Sequence, residues 1–334
     1  MSESGKAAVP VQTCSFCYRQ CRLSDGQTGP CGVRRACRGR LETVVYGHVA
    51  AAGVDPIEKK PLFHVYPGSR TLSVALPGCN FSCSFCQNHT LSRYSAEGGT
   101  RYRYTSPREL VAMLDANELT IMTYTYSDPV VWQDYMLDTA RLVKAWGGVN
   151  CMVTNGSMSS KATGTMEGLI DAFNIDVKGS EEFYRTYCGG SLHPVIRNVR
   201  EIIRSDRSVV EVTTLVIEDI HTIEDILELG RLLADAGVQV WHLSRFFPAY
   251  RMLEYTATSE SFLHRALEAA AESGIPHIYS GNSRDTDYAA TYCTQCHAEL
   301  IPSHSYGGEA AKAVSRTLQN GHCRACGESL YGIY

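Results

Sequence analysis

Seven short apolar runs recur between residues 71 and 282, at 72–76, 119–124, 149–154, 173–177, 209–217, 238–243 and 277–280, and segments of helical periodicity separate them. Runs this short, bounded by polar turns, read as buried strands, and strands that alternate with helices build parallel sheets. The helices carry end signals. Ser106 stands as an N-cap before residues 107–117, and residues 222–236 keep apolar positions at helical spacing until Gly237. The expected fold class is α/β, a parallel (β/α) barrel or partial barrel, whose chemistry sits at the carboxyl ends of the strands.

Outside residues 41–285 the character changes. The first ten residues read as a frayed tail. The rest of segment 1–40 is rich in Cys, Gly and Arg with little periodicity, as in a small metal-stapled knob. Residues 43–49 read as a strand, and Asp55-Pro56 as the start of a polar turn through Lys59, Lys60 and Pro61. After Ser283 the alternation stops, and residues 286–334 read as a separate small domain. A chain of 334 residues, 44% hydrophobic, has material for one large core and small appendages. A net charge of -4 supplies no basic field for nucleic acid. No apolar stretch approaches the ~20 residues of a membrane span, and the first residues lack a signal-peptide core. The expectation is a soluble cytoplasmic protein without membrane or nucleic-acid partners.

Eleven of the fourteen cysteines fall into three sets, and without a secretory signal such sets read as metal ligands before disulfides. In the central set, Cys79, Cys83 and Cys86 follow the first apolar run. Three thiolates on one loop hold three corners of an iron–sulfur cubane. The open fourth iron can chelate the amino and carboxylate groups of a methionine moiety. A structural zinc loop with a fourth ligand from elsewhere is the alternative. At the C-terminal end, Cys293, Cys296, Cys323 and Cys326 form two CxxC knuckles, as in a zinc ribbon. His297 and His322 adjoin them but are not needed. At the N-terminal end, Cys14, Cys17, Cys21 and Cys31 supply four thiolates for zinc, the first choice, or for a second [4Fe-4S] cluster that relays electrons. Cys37, Cys151 and Cys188 read as ordinary small buried residues.

Several polar residues stand at strand ends. Alternation puts Asp176 and Lys178 on one inward face, and a buried acid–base pair needs a partner or a role. Glu211 and Thr213 share one face of the next strand, either toward a ligand or on a solvated face. His242 either positions a ligand or is a hydrogen-bonded core histidine, and Arg245 can pair with a carboxylate. Asp128 precedes Pro129 as a helix N-cap would. Asn155-Gly156 and Gly281-Asn282 suit tight turns. Asp55, Glu58, Lys59 and Lys60, and the patch Arg34, Arg35, Arg38 and Arg40, read first as solvated charge.

The spacing of Cys79, Cys83 and Cys86, with Phe85 before the last, resembles the cluster motif of the radical SAM superfamily. The resemblance widens: VYGHVAAAGVDPIEKKPLFHVYPGSRTLSVALPGCNFSCSFCQN, residues 45–88, closely resembles the AmmeMemoRadiSam group, relatives of the pyruvate formate-lyase activating enzymes, and the likeness runs over nearly the whole chain. It implies the radical SAM barrel, a [4Fe-4S] cluster and S-adenosylmethionine (SAM). It places Phe85 near the adenine. It puts Asp128 where relatives carry Asn-Glu-Pro against the SAM amino group, here one methylene shorter. It makes Asn155 part of a Thr-Asn-Gly turn beside the cofactor. Asp176 and Lys178 resemble the Asp-x-Lys pair that approaches SAM in the activating enzymes, with a structural ion pair as the alternative. The expected partner is an electron donor such as flavodoxin or ferredoxin, and the arginine patch is a candidate dock for an acidic reductase of that kind. Family naming also associates the chain with Memo-like and AMMECR-type proteins.

The expected function is reductive cleavage of SAM to a 5′-deoxyadenosyl radical, which abstracts hydrogen from a glycyl residue of a partner or from a small molecule. Two rivals stand beside it: radical transfer of the aminocarboxypropyl group of SAM, and a non-catalytic iron–sulfur and zinc module. The open fourth corner argues against the second rival, because a pure electron carrier fills all four iron positions.

Overall fold

The computed structural model describes residues 11–94, 102–284, 287–303 and 308–334. The expected frayed tail lies outside them. At the centre is an eight-stranded sheet whose spatial order follows the chain: β1 (Ala51–Pro56), β2 (Arg70–Ala75), β3 (Ile121–Tyr124), β4 (Val149–Thr154), β5 (Ala172–Asp176), β6 (Val209–Val216), β7 (Val240–Arg245) and β8 (His277–Gly281). Strands β2 to β8 are parallel, and β1 pairs antiparallel to β2. The edges β1 and β8 do not pair with each other, so the barrel is partial. All seven apolar runs became strands.

Among the described residues, six helices longer than the short turns lie one in each crossover between the parallel strands: α1 (Pro107–Ala116), α2 (Gln133–Trp146), α3 (Ser160–Met166), α4 (His193–Ser205), α5 (Ile223–Asp235) and α6 (Glu260–Ala271). Their ends follow local chemistry. Ser106 and Glu109 cap α1 reciprocally, Thr222 and Asp225 do the same for α5, and α2 stops where Gly147 takes φ +92°. In α4 the stripe Val195, Ile196, Val199 and Ile202 is buried against the sheet, each side chain contributing roughly 1.5–3 kcal/mol.

The lead-in departs from expectation. Thr43 ends a short hairpin strand and residues 44–47 are successive turns, because Gly47 adopts φ +76° and the Tyr46 and His48 amides fold back onto Thr43 and Val45. The strand is β1. Asp55-Pro56 ends it, at an edge where the missing proline N–H costs no ladder bond. The N-terminal segment forms two hairpins, Gln12–Thr13 with Arg22–Leu23 and Arg34–Cys37 with Arg40–Thr43. It packs into the main core through Cys17, Val33 and Val45. The C-terminal segment has a small core of its own, around Leu300, Ile301, Ala310, Leu318 and Leu330.

The base of the barrel is closed by residues 57–69 and by the last residues of the chain, which meet in the bridge Val65–Ile333. His64 is the hub. Its Nδ1 donates to the Tyr331 carbonyl (2.7 Å), and its Nε2 accepts from Tyr279 (2.7 Å), whose hydroxyl meets Thr291. This bonding needs a neutral ring, and burial holds both His64 and the neighbouring His277 down to about 4. An unfolded imidazole titrates near 6.5. Below that pH the unfolded chain takes up protons that the folded chain refuses, so the stability is whole above pH 6.5 and is lost as pH falls toward 4. The loss is on the order of 3 kcal/mol per histidine as an upper bound. The urea midpoint followed by circular dichroism should drop clearly from pH 7 to pH 5, and an unchanged midpoint would contradict the buried neutral rings.

Candidate active site

Strand β2 runs into Pro77 and Gly78, where the chain must turn sharply. Gly78 has φ +108°, and a Cβ there would lie 2.8 Å from the Val33 side chain, so only glycine fits. The loop beyond is clamped by two backbone bonds, Ser82 N–H to the Cys188 carbonyl (2.8 Å) and Ser84 N–H to that of Tyr187 (2.9 Å). Cys79 Sγ accepts from the Phe81 amide (3.4 Å) and from the Asn155 side chain (3.7 Å), and Cys86 Sγ meets Ser92 Oγ at 3.3 Å. Burial raises the thiols of Cys79 and Cys86, while the Cys188 thiol, then burial, raises that of Cys83. All three sulfurs therefore rest protonated unless a cation binds them.

These cysteines line one cleft of about 340 Å³ at the carboxyl ends of the strands, together with Phe85, Asp128, Asn155, Asp176, Lys178 and Thr213. Asp128 is the expected N-cap: its carboxyl accepts from Val130 N (3.1 Å), Asn155 N (2.9 Å) and Thr154 Oγ1 (3.1 Å). Burial lifts it to about 6 against those bonds. Capping and cleft lining thus coexist. Asn155 holds Asn80 Oδ1 at 2.8 Å and begins the turn at Gly156, φ +71°. Lys178 Nζ lies 2.7 Å from Asp176 Oδ2 and 5.9 Å from the Phe85 ring centroid. Burial pulls the Lys178 ammonium down, but Asp176 together with Cys83, Cys188 and Tyr184 outweighs it and holds it well above its usual range.

Glu211 and His242 do not line the cleft. Both point inward, but the Glu211 side chain, 0% exposed, lies deeper and is fully engaged. It accepts from Phe63 N (3.0 Å), His64 N (2.8 Å) and His242 Nε2 (2.7 Å). The solvated-face reading of Glu211 is thereby corrected, and His242 is hydrogen-bonded core. Arg245 pairs with Glu260 at 2.9 Å, and Asn282, φ +54°, is the expected turn.

The charge runs also differ from expectation. Lys60 is buried and bonds Asp55 (2.9 Å) and Tyr126 (3.1 Å), while Lys59 stays exposed; both line the cleft. Glu58 is buried on the Gly68 amide. Arg34 is buried against Asp134 at 2.9 Å, and Arg35 pairs with Glu42, because opposing strands and α2 bring acids to them. Only Arg38 and Arg40 of that patch are exposed. Sequence reasoning missed Tyr126 and Asn80. The signal for Asn80 was its place directly after a ligand cysteine, and Tyr126 carried none.

At the C-terminal end the four sulfurs converge, Cys293 with Cys326 at 3.6 Å and Cys296 with Cys323 at 3.8 Å. No described helix is long and apolar enough to cross a membrane.

The sequence profile of the Radical SAM superfamily matches residues 73–233. An uncharacterized protein of Methanocaldococcus jannaschii is 34% identical over 320 residues, 95% of this chain and 94% of its own. The 7-carboxy-7-deazaguanine synthase of Methanothermobacter thermautotrophicus is 23% identical over 46% of this chain and 60% of its own. Among solved structures, Streptococcus suis SuiB bound to S-adenosylmethionine superposes with a TM-score of 0.51 at 9% identity, covering 68% of this chain and 53% of SuiB. The chain thus spans about half of SuiB, and at that identity the likeness concerns the fold.

Proposed function

The chain belongs to the radical SAM superfamily, and on that premise we propose that its cleft takes up SAM beside a [4Fe-4S] cluster on Cys79, Cys83 and Cys86 and turns it against a further substrate. One observation carries this reading: the three thiols and the Asp176–Lys178 pair open onto the same cleft. The donor set fits the cluster, since three soft sulfurs leave one iron corner for the amino-acid end of SAM. Together the two groups supply reductive scission of a carbon–sulfur bond, giving methionine and a 5′-deoxyadenosyl radical.

The chain's own residues hold and orient. The Phe81 and Asn155 N–H groups favour the thiolate form of Cys79. Asp128 and Asp176 supply negative charge for the ammonium and the sulfonium, and Lys178 supplies positive charge for the carboxylate. Phe85 offers an apolar face to the adenine, and Thr213 a hydroxyl to the ribose. The likeness of residues 45–88 supports a place in the AmmeMemoRadiSam group. For the C-terminal quartet the proposed metal is zinc, because sulfurs about 3.8 Å apart are the edge of a tetrahedron with Zn–S of about 2.3 Å.

The test of the cleft is Asp128→Asn. With one charge-assisted contact weakened, equilibrium dialysis should show SAM bound about 10-fold more weakly, with the cluster iron retained. Unchanged affinity would remove Asp128 from the site.

A further inference from the structure

The four N-terminal cysteines lie outside the cleft, and Asn80, which lines their cavity, stands in the chain between Cys79 and Phe81, which line the cleft. Cys14, Cys17, Cys21 and Cys31 line one small cavity, whose barrel side is Asn80 and Val131. The Cys14 amide bonds the Cys21 carbonyl at 2.9 Å and closes the first hairpin, and the Gly32 amide turns back onto Gly29 (3.0 Å) around Cys31. Cys14 and Cys17 are buried, and Cys21 and Cys31 are half-buried. Four cysteine sulfurs around one cavity are the donor set of a thiophilic metal centre.

Two observations select the kind of cation. Among the described residues, the C-terminal quartet is the group of candidate ligands whose donor atoms all fall within 4.8 Å. Neither the N-terminal set nor the set of Cys79, Cys83 and Cys86 brings three sulfurs within that limit. A cubane holds its thiolates further apart than a single tetrahedral ion does, because iron and sulfide stand between them. The second observation is Arg34. It lines the cavity and is 6% exposed, and its Nε has no hydrogen-bond partner among the described residues. A buried N–H is not normally left unpaired, and a cluster with four thiolates is an anion that accepts it.

The position gives the site a use. Asn80 follows Cys79 directly and lines the cavity. Its Oδ1 holds the Asn155 amide (2.8 Å), which also reaches Cys79 Sγ (3.7 Å). We propose that Cys14, Cys17, Cys21 and Cys31 carry a second [4Fe-4S] cluster, contacted by Arg34, which passes electrons across Asn80 to the Cys79 loop. One electron from a low-potential donor protein reduces this cluster and oxidises the donor. The same electron then leaves for the loop site and restores the oxidised state, with no bond or proton changed.

The test uses the full chain with Cys79, Cys83 and Cys86 all changed to Ala, reconstituted anaerobically with iron and sulfide. About four irons should remain per chain, with a low-temperature EPR signal after dithionite. Zinc in place of that iron, or no metal there, overturns the proposal. Should this variant fail to fold, the complementary comparison decides: intact protein with about eight irons falling to about four in Cys14→Ser/Cys17→Ser, against about four in both. In the doubly reduced protein the two signals should broaden each other, and two independent signals would overturn the relay. Because the iron is counted without the cleft ligands, the outcome does not depend on whether the cleft cleaves SAM.

Discussion

Cys83→Ala is expected to remove the barrel iron and bring reductive SAM cleavage to background while leaving the C-terminal metal in place. The reason is geometric. Cys83 is the middle ligand of a loop pinned by backbone bonds to Tyr187 and Cys188, so a neighbouring residue cannot move in to replace it. The fold should survive, because losing one buried sulfur costs about 1 kcal/mol. Cys188 is the control. It touches the Cys83 thiol but does not line the cleft, so Cys188→Ala should keep its iron. If Cys83→Ala kept cluster iron, or Cys188→Ala lost it, the ligand assignment would be wrong. Iron, sulfide and zinc counts on the three proteins decide it.

The second large effect concerns stability. Glu211→Ala should destabilise the protein by about 3–5 kcal/mol, since it strands the Phe63 and His64 amides and the His242 ring, three donors in a dry layer, at roughly 1–3 kcal/mol each. Those donors fix the loop that carries Lys59 and Lys60 to the rim of the cleft. The loss should therefore appear as a lower urea midpoint and also as weaker SAM retention. Glu211→Gln, whose amide oxygen still accepts, should recover part of it. A loss below about 1 kcal/mol would mean that the carboxyl is not the clamp.

The seven parallel strands were legible because their apolar runs are short, buried and bounded by helix caps such as Ser106 and Thr222. The cysteine loop was legible because ligands from one loop leave their spacing in the chain. Depth was not. Alternation puts Glu211 and Thr213 on the same inward face, but it does not tell that one lies in a sealed layer and the other on the cleft. The Asp55–Lys60–Tyr126 network joins residues of β1, the loop after it and the turn after β3, so no local pattern announces it. Likewise Arg34 reads as surface charge until α2 brings Asp134 beside it. The expected strand at 43–49 failed for a different reason: Gly47 at positive φ breaks what the apolar pattern alone would extend.

The most direct measurement is an anaerobic incubation of the reconstituted protein with dithionite and SAM, with products read by mass spectrometry. The account predicts 5′-deoxyadenosine and methionine in equal amounts, and methylthioadenosine, or intact SAM beside a fully loaded cluster, would contradict it.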